Sequence, residues 1–345
     1  MHSARASRLT IAISARTLLP EADKNVYEEA VAMSTIRHCT RRRILCQAGC
    51  FGAAALATPQ LLASSAAAPP GPSGQWQIGC FTRPWAQYDY RVALDAIAEA
   101  GFQYAGLMSA KGQKSNLVVS LAHTPEEVAQ IAVEVKKRGL KVPAIWGDEF
   151  LVGPSVQAAR DKFKKLIDYC ALVESPALML GGTYNVKTYD TYYKLVAEVC
   201  PYAAEKRVEL VAKPHGVLNT TGPEIRKNIK LVGQKNFTLW YDPGNLLFYS
   251  KGKVNPTEDA ASVAGLVTGM CVKDLVISEK DGKQVMDGNV TPGTGQVDFR
   301  ALMAVLKQGG FTGGPLVVEC LARGDMPALL SEAKKARQFV EALVA

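Results

Sequence analysis

Four short apolar runs in the second half of the chain end in residues that can move protons or hold charge. They read Ala212-Lys213-Pro214-His215-Gly216, Tyr241-Asp242-Pro243-Gly244-Asn245, Cys271-Val272-Lys273-Asp274 and Val318-Glu319-Cys320. Three carboxylates, two ammonium groups and an imidazole are a working set for acid/base chemistry. Alternation along an extended segment puts Lys213 and His215 on one face, and Cys271 and Lys273 on one face, so each pair is expected to look into the same space. His215 is one of two histidines beyond residue 68. Flanked by Pro and Gly at the end of a run, it has no evident packing role and reads as a general acid/base or substrate-binding group. The other, His123, stands just before a helix and reads as a solvated turn residue.

Weaker signals accompany these. In Cys80-Phe81-Thr82-Arg83-Pro84-Trp85 an arginine beside an indole suits a sugar's hydroxyls or carboxylate and its C–H face, or equally a structural ion pair and a core tryptophan. Trp146-Gly147-Asp148-Glu149 and Gly181-Gly182-Thr183-Tyr184-Asn185 either line a pocket or are plain loops. Tyr192, Tyr193 and Tyr202 fall at helical spacings and read as packing or surface residues rather than a binding box.

The elements that must position these groups alternate regularly. Strands are expected at Gln77 to Phe81, Tyr104 to Met108, Lys141 to Trp146, Ala177 to Leu180, Glu209 to Lys213, Thr238 to Tyr241, Met270 to Lys273 and Leu316 to Glu319. Amphipathic helical stretches lie between them, among them Arg91 to Glu99, Pro125 to Arg138, Val156 to Val173, Tyr192 to Lys206 and Phe299 to Lys307. Thr124 before Pro125, and Asp298 before Phe299, are start signals, and Gly101, Gly139 and Gly310 are stops. Eight alternations in a chain of this length predict a single-domain α/β protein of the (β/α)₈ (TIM) barrel type, whose active site sits at the carboxyl ends of the strands. A doubly wound sheet is the rival, but no G-x-G-x-x-G follows an early strand. Leu275 to Val290, rich in Lys, Asp and Gly, reads as an exposed loop that either folds over the site or does nothing.

Residues 1–68 have a different character. Thr40-Arg41-Arg42-Arg43-Ile44-Leu45, a weakly apolar run from Ala48 to Ala57 and Ser64-Ser65-Ala66-Ala67-Ala68 compose a twin-arginine-type export signal, with Met33 a candidate start just before the arginines. The apolar run is too short and too interrupted to span a bilayer, the alternative being a retained amphipathic anchor. Residues 69–75 then form a Pro/Gly linker, and the barrel occupies 76–345. A periplasmic or otherwise exported location is expected. The signal carries eight Lys/Arg and four Asp/Glu, so half of the formal charge of +8 leaves with it and the remainder gives little support for nucleic-acid binding. Cys39, Cys46 and Cys50 belong to the signal. Cys80, Cys170, Cys200, Cys271 and Cys320 are odd in number, widely spaced and free of any C-x-x-C pair, which indicates neither a disulfide framework nor a zinc ribbon.

At the run ends quoted above, and in Gly293-Thr294-Gly295-Gln296-Val297-Asp298-Phe299 followed by Phe311-Thr312-Gly313-Gly314-Pro315-Leu316-Val317-Val318-Glu319, the chain resembles the xylose isomerase-like barrel superfamily. That group holds sugar (phosphate) isomerases and epimerases, inosose dehydratases and type IV apurinic endonucleases. The resemblance implies a divalent cation held by a Glu, an Asp, a His and a final Glu on strands five to eight. This sequence keeps Asp242 and Glu319 but has Lys213 at the first Glu and Cys271 at the His, and strand two ends in Gly106-Leu107-Met108 where many relatives carry a Glu. Three carboxylates with a divalent cation sum to −1, as do two carboxylates with one ammonium. Lys213 is therefore expected to neutralise Asp242 and Glu319 with no cofactor, and to stabilise an enolate or oxyanion where a metal otherwise would. The alternatives are one divalent ion (Mn, Mg or Zn) held by His215, Asp242 and Glu319 with Cys271 as a fourth ligand, or a barrel that only binds its ligand.

The catalytic set read from the sequence is thus Lys213, His215, Asp242 and Glu319, with Arg83, Trp85, Trp146, Asn245, Cys271 and Lys273 as substrate-binding residues. The expected activity is isomerisation or epimerisation of an unphosphorylated carbohydrate or polyol by proton transfer next to a carbonyl. A lyase or hydrolase acting on a keto-glycoside, and a non-catalytic carbohydrate-binding barrel, are the competing readings. An endonuclease needs a richer metal cluster and a basic face.

Overall fold

The structure, a computed structural model, describes residues 74–147, 152–153 and 155–345. The segment expected to be an export signal, all but the last two residues of the expected linker, and Asp148-Glu149 lie outside the described residues.

Eight strands alternate with helices because each apolar run is short, β-branched or aromatic, and closed by a turn. They are β1 (Trp76–Phe81), β2 (Tyr104–Gly106), β3 (Ile145–Trp146), β4 (Ala177–Leu180), β5 (Glu209–Ala212), β6 (Phe237–Tyr241), β7 (Val267–Val272) and β10 (Gly314–Val318). All pair in parallel, in the order β2-β1-β10-β7-β6-β5-β4-β3. Parallel bridges Tyr104 to Lys141 and Leu107 to Ile145 join the two ends of the ring. The packing helices are α1 (Tyr90–Glu99), α2 (Pro125–Lys137), α3 (Val156–Leu172), α4 (Tyr189–Glu205), α5 (Gly222–Val232), α6 (Pro243–Ser250), α7 (Pro256–Ala260), α8 (Phe299–Gln308) and α9 (Met326–Val344). This is the (β/α)₈ barrel the alternation predicts.

The start and stop signals act as their chemistry suggests. Thr124 and Glu127 form a reciprocal capping box at the start of α2, with Glu127 N–H donating to Thr124 Oγ1 at 3.3 Å and Thr124 N–H to Glu127 Oε2 at 2.8 Å. Asp298 accepts the Ala301 N–H at 3.0 Å to open α8. Tyr192 and Tyr193 are buried in the packing of α4, as their helical spacing suggested. His123 is half-buried: its Nδ1 accepts the Ser120 N–H at 3.2 Å and its carbonyl accepts the Tyr169 hydroxyl at 2.5 Å.

Two apolar clusters divide the core. The larger fills the layer between strands and helices. The smaller is the barrel interior: Phe81, Met108, Ala144, Trp146, Ala177, Met179, Val211, Trp240, Cys271 and Val317. Strand parity then decides the site. Two residues beyond Phe81, Val211, Trp240, Cys271 and Val317 along their strands come Arg83, Lys213, Asp242, Lys273 and Glu319, the next inward-facing layer, where the interior meets the mouth. The interior is full: a Cβ on Gly106 would collide with the Phe81 ring, so glycine is the residue that lets this aromatic point inward.

The Leu275 to Val290 segment is not a plain loop. It forms an antiparallel hairpin of β8 (Val276–Lys280) and β9 (Lys283–Asp287), turning at Asp281 (φ 52°) and Gly282 (φ 69°). Asp-Gly is the turn pair whose two positive φ values match strand twist. The high Lys and Asp content concealed this signal.

Candidate active site

The charged layer is knitted by one carboxylate. Glu319 follows β10 and is 1% exposed; its Oε1 accepts Arg83 NH1 at 2.5 Å and Lys273 Nζ at 3.1 Å, while its Oε2 lies 2.7 Å from Lys213 Nζ. Lys213 Nζ also lies 3.0 Å from Asp242 Oδ2. Asp242 Oδ2 and Glu319 Oε2 are buried, with the Lys213 ammonium as their ionic partner and no other hydrogen-bonded partner among the described residues. Asp242 caps α6 through Oδ1, which accepts the Asn245 N–H at 2.8 Å. Asn245 binds the layer together: its Nδ2 donates to the Pro214 carbonyl at 2.8 Å and its Oδ1 accepts Lys273 Nζ at 2.7 Å.

Burial and charge act against each other here. Burial alone would lower the Lys213 pKa, but Glu319 and Asp242 outweigh it and hold the group above the ordinary lysine value. Burial would raise Glu319, yet Lys213, Lys273 and Arg83 hold it well below the usual carboxylate range. Asp242 goes the other way, raised by burial and by Glu319 against the pull of Lys213. The two carboxylates are therefore split, Glu319 firmly ionised and Asp242 readier to keep a proton. His215 stands over the layer with Nε2 3.1 Å from the Tyr249 hydroxyl and its ring 5.5 Å from that of Trp146. Burial, then Lys213 and Lys273, push its pKa well below the ordinary value, so the imidazole is neutral at pH 7.

These groups open into a cavity of about 370 Å³, lined by Arg83, Trp146, Lys213, His215, Asn245, Lys273 and Glu319. Asp242 and Cys271 lie behind it, both 0% exposed. Trp85 requires a correction: its side chain is fully buried and belongs to the strand–helix layer, because the short helical turn Arg83–Trp85 after β1 sends Arg83 inward and the indole outward. Gly181, Gly182 and Thr183 after β4 do not line the cavity. Further residues complete the wall: Met108 at the end of the expected second strand and Met286 to Asn289 from the segment expected either to fold over the site or to do nothing, together with Ser109, Phe248 and Tyr249 on α6, and Arg323 beyond β10, which the sequence did not single out. Phe248 and Tyr249 lie one turn past Asn245, and Arg323 four residues past Glu319. Strand-end proximity was the signal available for them.

Among the described residues, the grouping with metal-ligand spacing is Asp242, Cys271 and Glu319, whose donor atoms lie within 4.8 Å of one another. His215 is outside that group. The set as arranged does not suit a divalent cation. Lys213 already sets an ammonium against the two carboxylate oxygens, and a second cation there would meet it at like-charge distance.

Asp274 organises the mouth without entering it. Buried after β7, it accepts the backbone N–H groups of Leu275, Gly293, Gly295 and Val297 at 2.8 to 3.0 Å. A Cβ at residue 295 would collide with Asp274 Oδ1 and approach the Leu275 carbonyl oxygen to 2.8 Å, which explains the second glycine of Gly293-Thr294-Gly295.

A parallel eight-stranded barrel with a buried ionic centre at its carboxyl-end mouth defines the class. Residues 94–343 match the xylose isomerase-like TIM barrel family, and the chain belongs to that family. No curated protein sequence matches it. Solved structures with the same fold include a xylose isomerase domain protein from Planctomyces limnophilus (19% identity, 78% of this chain and 98% of that one, TM-score 0.60). A D-allulose 3-epimerase from Methylomonas sp. has 15% identity over 80% of this chain and 100% of that one, at TM-score 0.60. A xylose isomerase-like TIM barrel protein from Mycobacterium smegmatis, in complex with magnesium, has 15% identity over 78% and 98%, at TM-score 0.63.

Proposed function

We propose that this protein is a sugar isomerase or epimerase-like enzyme that moves a proton next to a carbonyl of an unphosphorylated carbohydrate, using a lysine-centred ionic layer in place of a metal. The observation that carries the reading is the Lys213 ammonium held between Asp242 Oδ2 and Glu319 Oε2 at 3.0 and 2.7 Å. Proton abstraction beside a carbonyl develops negative charge on its oxygen. Lys213 and Lys273, fixed and dehydrated, supply preorganised positive charge for that oxygen without reorganisation. His215, neutral and on the cavity wall, takes the proton and returns it, with Tyr249 holding its ring. Asn245 and Glu319 keep Lys273 aimed at the cavity.

Family membership and fold support a sugar-acting enzyme, and neighbours with the same fold include a D-allulose 3-epimerase. The basic, small-residue segment from Arg41 to Ala68 supports export, which fractionation of the native protein would test. Two measurements test the catalytic reading. Elemental analysis of purified protein should find no stoichiometric divalent ion, and turnover should survive chelation. Lys213→Ala should abolish turnover in a ketose/aldose screen while ligand binding persists. A tightly held ion, or turnover undiminished in Lys213→Ala, refutes it.

A further inference from the structure

Among the described residues, the cavity has more positive charge than its carboxylates can use. Arg83, Lys213, Lys273 and Arg323 line it, against Glu319 and Asp287 on the wall and Asp242 behind, a formal excess of one positive charge among those residues. The donors tell the same story more sharply. Arg83 spends NH1 on Glu319 Oε1 and Cys320 Sγ, at 2.5 and 3.1 Å, and its other guanidinium N–H groups have no partner among the described residues. Its side chain is 36% exposed. Arg323 is exposed at the rim, and its side chain makes no hydrogen bond or ion pair among the described residues. Lys273 uses two of its three N–H groups, on Asn245 and Glu319. Glu319 already balances three cations, Arg83 and Lys273 at Oε1 and Lys213 at Oε2. At Asp287, Oδ1 accepts the Asn289 N–H at 2.8 Å.

The unspent donors share one side of the mouth. Arg83 follows β1, Arg323 follows β10 and Lys273 follows β7, three adjacent strands of the ring. Trp146 on β3, and Phe248 and Tyr249 after β6, come from the other half of the barrel and present aromatic surface to the same cavity. A guanidinium fork matches a carboxylate with two parallel hydrogen bonds, and aromatic faces match the C–H face of a sugar ring. At about 370 Å³ the cavity is at the small end for ligand sites and suits a single small molecule.

We propose that the substrate is a sugar acid, a monosaccharide carrying a carboxylate that docks on Arg83 and Arg323 while its ring lies against the aromatic half of the mouth. This rests on the proton-transfer reading above for what happens after binding, but not for binding itself.

The test is calorimetric titration of the full chain with D-glucuronate and D-galacturonate, with D-glucose and D-galactose, and with glucose 6-phosphate. The uronates should bind at least about tenfold more tightly than the neutral sugars. That preference should fall severalfold in Arg323→Gln, a rim substitution with no packing to lose, and should weaken in high salt. Neutral sugars binding as tightly as the acids, or no member of the panel binding, overturns the proposal. Tighter binding of the phosphate than of the uronates also overturns it and assigns the arginines to a phosphoryl group. Uronates that bind selectively but are never turned over would uphold the sugar-acid site and sink the isomerase reading. Turnover of neutral sugars with no uronate binding would do the reverse.

Discussion

Replacing Glu319 with glutamine removes the one carboxylate that three cations share while keeping its shape. Lys213 retains Asp242 at 3.0 Å, but Lys273 is left with the Asn245 amide and Arg83 with the Cys320 thiol. The new amide also has to present an N–H₂ group toward one of the ammonium groups its oxygens now face. Breaking a buried ion pair by removing one partner costs roughly 3–5 kcal/mol. At about 2–4 °C per kcal/mol for a domain of this size, Tm should fall by roughly 6–20 °C. Lys213→Met should cost less, because Asp242 is already inclined to take up a proton and Glu319 keeps Lys273 and Arg83. The double variant should be less damaged than the sum of the two, since removing the lysine relieves repulsion among the stranded cations. A coupling of roughly 1–3 kcal/mol is expected from a double-mutant cycle. Urea unfolding followed by circular dichroism on all four proteins provides the assay. Additive effects, or a loss below about 1 kcal/mol in Glu319→Gln, would show that Glu319 is not the shared counter-ion and would refute the reasoning.

Two further outcomes follow from the same geometry. Gly295→Ala should break the Asp274 cradle, since the added methyl collides with its carboxylate, and should destabilise the protein by roughly 2–4 kcal/mol with earlier proteolysis in the Leu275 to Val297 region; unchanged protease resistance counts against the cradle. Glu319, held well below its ordinary value of 4.5, contributes stability that is complete above about pH 4.5 and is lost as pH falls through its folded value, so acid unfolding should lose this steep component in Glu319→Gln and not in a Glu279→Gln control on the exposed hairpin.

What the sequence determined by itself is the set of local decisions. The alternation of short apolar runs with amphipathic stretches fixed the barrel, because period-2 and period-3.6 burial are written in residue order. Thr124, Asp298 and the stop glycines set helix ends through their own backbone chemistry. Lys213, Asp242, Lys273 and Glu319 were legible as a group because each ends an apolar run, and strand parity aims it inward. Tertiary structure alone decided which of these share partners. That Glu319 rather than Asp242 anchors three cations depends on β10 lying between β1 and β7, which bring Arg83 and Lys273, and on Lys213 reaching it across the barrel from β5, facts of ring closure that no local pattern contains. Trp85 lies outside the cavity because a single turn of helix after β1 reverses the parity a strand would have kept. Arg323, Phe248 and the hairpin reach the mouth along connections whose paths are set by packing, so the pocket's excess of positive charge among the described residues appears only once the ring is closed.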